Sequence, residues 1–109
     1  MNAAGLKFTL TSVAEIINSP VWFDRLTGEG ISAGELKGTR QEATAIVNAL
    51  KATPNEKIES LVAHYDGVLT SALQTFQGNW QLNFLQGFRD AQVMIGFVTS
   101  LLNKAGIRT

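Results

Sequence analysis

The second half of the chain carries two long segments with helical periodicity, residues 54–77 and 79–105, which meet at Gly78. Along the first segment, apolar side chains recur every three or four residues, which places them on one stripe of an α-helix. Since polar side chains fill the other faces, we predict a helical hairpin over residues 53–106. The first stripe consists of Ile58, Leu61, Val62, Tyr65, Val68, Leu69, Leu73 and Phe76.

The second segment is apolar around more than one stripe, and a helix of that kind needs partners on two sides. The first helix of the hairpin can cover only one of those sides. We therefore predict that a second flank forms an interface with another copy of the chain or with another protein, which favours a dimeric helical bundle. The alternative is that N-terminal helices of the same chain cover it. The flank bears Val93, Met94, Phe97 and Leu101.

Small residues inside the second segment predict close helix packing. Glycine costs about 1 kcal/mol relative to alanine within a helix, so glycines in a long helix indicate close backbone approach or a bend. We assign that role to Gly87, Ala91 and Gly96. Arg89 and Asp90 lie within the same apolar segment and are predicted members of buried polar pairs, because a buried charge requires a partner.

One string in this segment, Phe84-x-x-Gly87-Phe88-Arg89-x-Ala91, resembles the C-terminal helix of small helical proteins of phages and mobile elements. The resemblance covers this string alone. It implies an origin in a phage or mobile element and no activity.

The first half of the chain, residues 1–52, is predicted to be a cap of several short helices on the hairpin. A hydroxyl followed three residues later by a carboxylate is typical of a helix start, and proline suits the first helical position. Residues 6–10 alternate apolar and polar side chains, which is strand periodicity. We expect an extended arm there, or a strand if a second copy supplies its partner. The predicted helix starts are Ser12, Ser19-Pro20, Ser32, Thr39 and Thr53-Pro54.

Composition narrows the possible functions of what we interpret as a single domain over residues 1–109. Cysteine is absent, which excludes disulfides, thiolate zinc sites and thiol nucleophiles. Nine basic and nine acidic side chains cancel, so no overall field attracts a polyanion or a membrane surface. Charged residues make up 17 % of the chain, below the usual share of roughly 25 %, which favours a buried interface. We see no signal peptide and no membrane span, and we expect a cytoplasmic protein.

Two features of the sequence bear on possible catalysis or ligand binding. The glycine-rich residues 28–34 lack the spacing of a dinucleotide-binding loop, and a helix C-cap followed by a turn explains them. His64 is the single histidine, and no other metal ligand lies one helical turn away. We therefore predict no catalytic residue, no cofactor and no metal.

The sequence leaves two hypotheses for function. The first is a non-enzymatic protein-protein interaction module, such as an adaptor, inhibitor or assembly factor, that pairs with itself or binds another protein. The alternative is a small dimeric DNA-binding transcriptional regulator that uses the N-terminal helices. Arg25, Lys37, Arg40 and Lys51 would supply its basic surface, although acidic neighbours dilute their charge.

Overall fold

A computed structural model describes all residues from 1 to 109. The chain is 82 % helical and contains no strand, which confirms the predicted all-α class. Five helices follow one another with short connections: α1 Ala3–Ile17, α2 Pro20–Gly28, α3 Ala33–Lys51, α4 Asn55–Asn79 and α5 Phe84–Lys104.

Helices α4 and α5 lie side by side and antiparallel, which is consistent with the predicted hairpin. The break falls after Asn79 rather than at Gly78, and residues 80–83 form the turn. Helix α5 begins at Phe84 because the Asn83 side chain accepts a hydrogen bond from the Gln86 amide at 3.1 Å. Such a cap satisfies an amide that has no partner within the helix.

The prediction for the start of the chain was wrong. Residues 6–10 form neither an arm nor a strand but belong to α1, which Asn2 caps by accepting from the Gly5 amide at 2.7 Å. Ser12 does not start a helix, since its hydroxyl donates to the Phe8 carbonyl within α1. The side chains that α1 buries recur at helical spacing over its whole length: Ala3, Leu6, Leu10, Val13, Ala14 and Ile17.

Helix α3 is also longer than predicted. Ser32 caps it as expected, accepting from the Glu35 amide at 3.1 Å. The helix then continues through Gly38, and the Thr39 hydroxyl donates to the Glu35 carbonyl instead of starting a new helix. Thr53 likewise bonds back to the Ala49 carbonyl and leaves α4 without a side-chain cap. Only α2, which begins at Pro20 after the Ser19 cap, is as short as predicted.

The hydrophobic core lies between the inner face of the hairpin and the helices α1, α2 and α3. Tyr65 has non-helical backbone angles and bends α4. The hairpin contributes the following buried side chains: Ile58, Val62, Leu69, Leu73, Phe76, Phe88, Ala91, Met94, Ile95, Val98, Leu101 and Leu102.

Arg40 links α3 by hydrogen bonds to the junction between α1 and α2. Its Nε donates to the Ile17 carbonyl at 2.7 Å, and its Nη2 donates to the Ser19 carbonyl at 2.8 Å. Ile17 is the last residue of α1, where carbonyls have no partner within the helix, so the Arg40 cation satisfies an orphan acceptor and complements the helix dipole there. The Ser19 carbonyl also accepts from the Phe23 amide at the start of α2.

We expect Arg40→Leu to lower the free energy of unfolding by about 2 kcal/mol, because hydrogen bonds from a charged donor contribute about 1.5–3 kcal/mol. Urea denaturation followed by circular dichroism measures the loss. The exposed Lys37, one turn earlier on α3, provides the control, and Lys37→Leu should change stability by no more than about 0.5 kcal/mol. Equal effects of the two substitutions would contradict the role assigned to Arg40.

Candidate protein-binding surfaces

An apolar groove opens at the end of the bundle where α1, α2 and the α4–α5 turn meet. Its volume is about 520 Å³. Its apolar lining comes from two tryptophans, a phenylalanine and two aliphatic side chains, with a polar margin on the α1 side and at the α1–α2 junction. The lining residues are Ser12, Glu15, Ile16, Ser19, Val21, Trp22, Trp80 and Phe84. We call this surface the groove.

Gly87 makes the base of the groove possible. A Cβ atom at this position would lie 2.8 Å from Trp80 Cα and 3.3 Å from Trp22 Cη2. The α4–α5 turn can therefore cross α5 closely only because Gly87 has no side chain. Trp22 fills the space beneath, with its ring centroid 6.1 Å from Phe76 and 5.6 Å from Phe84. Close packing at Gly87 is predictable from the sequence, whereas its partners Trp80 and Trp22 are not.

Opposite charges flank the groove. Glu15 lines the α1 side and is exposed. Arg25, one turn after Val21 on α2, places its guanidinium carbon 4.6 Å from the centroid of the Phe84 ring.

Trp22 also lines the groove. Its Nε1 is the one buried side-chain nitrogen or oxygen that lacks a hydrogen-bond partner.

A second apolar surface runs along the outer seam of the hairpin. Val68 of α4 is 55 % exposed and Val93 of α5 is 70 % exposed. Half-buried side chains continue the surface on both sides, and the Tyr65 and Phe97 rings meet edge to face at 5.9 Å. We call this surface the hairpin face and define it by Tyr65, Val68, Ala72, Val93 and Phe97.

The middle of the hairpin carries no charge. Residues 67–79 of α4 and 91–103 of α5 contain no lysine, arginine, aspartate or glutamate. Solvent-facing positions of a helix usually carry charged residues, whereas apolar residues are confined to the face that packs on the core. The middle of the hairpin is therefore uncharged, and two exposed valines lie at its centre.

The four residues of α5 that are predicted to form an interface differ in their exposure. Met94 and Leu101 are buried by helices of the same chain and have no surface to offer a partner. Phe97 is half-buried, and Val93 remains exposed. The interface itself stays a prediction, and it can include only Val93 and Phe97 of the four residues named.

Two further assignments within α5 need correction. Gly96 is exposed and nothing lies within 4 Å of the position its Cβ would take, so it serves no close packing, whereas Ala91 is fully buried. Neither Arg89 nor Asp90 belongs to a fully buried polar pair. Arg89 is exposed and bonds to Glu35, while the half-buried Asp90 carboxylate accepts from Asn79 at 2.8 Å and from Gln86 at 2.9 Å.

The contact between Arg89 and Glu35 links α5 to α3 at the surface. Arg89 Nη1 lies 2.7 Å from Glu35 Oε1, and Gln92 donates to the same oxygen at 3.4 Å. The hydrogen bond from Arg89, followed by that from Gln92, holds the pKa of the Glu35 carboxyl below its usual value. These bonds stabilise the ionised form, so whatever they contribute to stability is lost as the pH falls through that lowered pKa.

His64, the single histidine, is exposed and its ring lies against Tyr65, with centroids 4.8 Å apart. No group of three or more histidine or acidic side chains is placed to hold a metal ion. None of the five helices has the length and apolar character needed to span a membrane.

One of the four basic side chains named for DNA binding is occupied by contacts within the chain. Arg40 bonds to carbonyls at the α1–α2 junction, whereas Arg25, Lys37 and Lys51 are exposed. A nucleic-acid surface requires cations that are clustered and free to meet phosphates. The DNA-binding alternative stays a prediction, with Arg40 removed from its basic surface.

Comparison of the chain with protein-family models, with curated proteins and with solved structures finds no match. The two apolar surfaces are therefore interpreted from their own geometry and chemistry.

Proposed function

We propose that the protein is a non-enzymatic protein-interaction module that pairs with a second copy of itself through the hairpin face. The two hairpins would form a four-helix core, with Val68 and Val93 buried at its centre. The observation that carries this proposal is the position of these two exposed valines in the middle of an uncharged two-helix surface.

Charge favours a second copy as the partner. In a two-fold pair each surface meets an identical surface, so any net charge on it would face like charge. The hairpin face avoids this cost because its central residues are neutral. Of the two carboxylates nearest the face, Asp66 is paired with the Met1 amine, whereas Asp90 keeps its charge while accepting hydrogen bonds from Asn79 and Gln86.

The size of the face also suits pairing. Two adjacent helices of about 20 residues each offer a surface about 30 Å long and 20 Å wide, on the order of 600 Å². Stable protein interfaces begin near that value per partner. The expected complex is a dimer at the low end of the stable range.

The test is sedimentation equilibrium of wild type, Val68→Asp and Val93→Asp over a range of concentrations. We expect the wild type to dimerise and each variant to raise the dimer dissociation constant by at least about tenfold, because each pair would bury two carboxylates. Both valines are exposed in the single chain, so both variants should keep the wild-type circular dichroism spectrum.

Phe8→Asp is the matched control. Phe8 is 75 % exposed on α1 and lies outside the hairpin face. Phe8→Asp removes a larger apolar side chain than the valine variants and adds the same charge. Because position 8 lies outside the hairpin face, this substitution should leave the dimer intact. A wild type that stays monomeric at every concentration would refute the proposal, as would a dimer that only Phe8→Asp disrupts.

A further inference from the structure

The groove shares no residue with the hairpin face, so pairing of two copies through that face leaves it open. Its exposed apolar side chain Val21 is 62 % accessible, and Trp80 and Phe84 are only half-buried. Large aromatic side chains around an apolar depression are the residues that most often dominate protein-protein binding energy.

The charged side chains beside the groove indicate which charges a ligand would carry. The α1 wall carries the Glu15 carboxylate, and the α2 side carries the Arg25 guanidinium at the Phe84 ring. Neither side chain forms an ion pair within the chain. An occupant must therefore place a basic group beside Glu15, an acidic group beside Arg25 and apolar groups between them.

We propose that the groove binds an amphipathic helix of a different protein. The apolar face of that helix would pack on Ile16, Val21, Trp80 and Phe84, with a lysine or arginine next to Glu15 and an aspartate or glutamate next to Arg25. An amphipathic helix supplies this combination, because residues three and four apart share one face while charged residues flank it.

Trp22 adds a second observation. Its ring lines the groove, and its Nε1 is buried without an acceptor. A buried donor that lacks an acceptor is costly, and most such groups in proteins have a partner. A bound helix that shifts the ring or brings an acceptor to its edge would remove that cost.

The experiment selects binders from a yeast-displayed library of peptides of about 15 residues, a length at which a peptide can form a marginally stable helix. The peptides contain no tryptophan and are otherwise randomised at every position, so the library imposes neither a helix nor an apolar stripe. The library is sorted on wild-type protein and counter-sorted on Val21→Asp. We expect enriched peptides to carry an apolar stripe with a basic residue towards one side and an acidic residue towards the other.

Affinities of the selected peptides are then measured by tryptophan fluorescence. The chain has two tryptophans, and both line the groove, so any change reports on this site. We expect Val21→Asp to weaken binding by at least about tenfold and Phe8→Asp, which lies outside the groove, to leave it unchanged. In the charge-reversed variant Glu15→Lys/Arg25→Glu, peptides with exchanged charges should bind better than the originals.

Three results would overturn the proposal. The first is a library that yields no binders sensitive to Val21→Asp, and the second is affinity that does not respond to charge reversal. The third is an enriched set without helical periodicity, which would indicate another kind of ligand. Each of these is distinct from failure of the pairing proposal, since Val93→Asp changes the dimer and not the groove.

Discussion

Trp22→Ala is expected to lower the free energy of unfolding by about 3–5 kcal/mol, the range found when a large buried aromatic side chain is truncated. Trp22 is only 2 % exposed and joins α2 to the hairpin through ring contacts with Phe76 and Phe84. Its removal would leave a cavity that the Trp80 backbone, held close against α5 at Gly87, could not fill. Urea denaturation followed by circular dichroism measures the change.

Trp22→Phe separates the packing of the ring from its polar group. The indole Nε1 has no hydrogen-bond partner, so phenylalanine loses apolar contact but no hydrogen bond. We expect a loss well below that of alanine, because phenylalanine still fills most of the site and only the difference in ring size is left as a cavity. A loss as large as that of Trp22→Ala would mean that Nε1 does have an essential partner.

Gly87→Val is expected to destabilise the protein by about 2–3 kcal/mol, a typical cost of overpacking. The new Cβ would lie 2.8 Å from Trp80 Cα and 3.2 Å from Trp80 N. These are backbone atoms, so no side-chain rotation can relieve the contact. The α4–α5 turn would have to move away from α5, and the groove would lose its base.

Gly96→Ala is the matched control in the same helix. Nothing lies within 4 Å of its Cβ position, and alanine favours a helix by about 1 kcal/mol relative to glycine. We therefore expect Gly96→Ala to raise stability. If Gly87→Val were also neutral or stabilising, Trp80 would not pack on Gly87 as described.

Much of the hairpin could be predicted from the sequence, because its apolar stripes extend over many turns and only a helix accommodates them. The beginning of α1 could not. Leu6 and Leu10 are four residues apart and fit a helix, but with Phe8 between them the same five residues also alternate. The exposed Phe8 thus produces the alternating pattern of a strand. The helix is established only by the packing of Leu6 and Leu10 in the core, where α1 contacts α3 and α4.

The capping motifs at Ser12 and Thr39 failed for a different reason. A hydroxyl can bond to the carbonyl four residues back within a helix as well as to an amide at its start. Ser12 and Thr39 do the former, and Ser32 does the latter. The sequence pattern is the same in both cases, so the number of short helices was overestimated.

The surfaces depend on tertiary packing and were therefore the least predictable. Met94 and Leu101 belong to the stripe that the chain covers, whereas Val93, beside Met94, points outward. The groove combines residues 12–22 with residues 80–84, and no local window contains both. The absence of charge from residues 67–79 and 91–103 is the sequence signal that does point to the hairpin face.

The two proposals together describe a bivalent module. A dimer formed through the hairpin face would present two grooves, and two linked binding sites can raise overall affinity far above that of either site alone. That gain would suit an adaptor or an assembly factor.

The most direct test of pairing uses the absence of cysteine, because a single introduced cysteine can be labelled without competition. Spin labels at Ser100→Cys, an exposed position two turns after Val93 on the same side of α5, report whether two copies meet at the hairpin face without occupying its centre, and labels at Phe8→Cys provide the reference. Pulsed electron paramagnetic resonance should give a dipolar signal whose amplitude grows with concentration, with a shorter distance for position 100 than for position 8. No dipolar signal at position 100 at any concentration, or a shorter distance at position 8, would contradict pairing through the hairpin face.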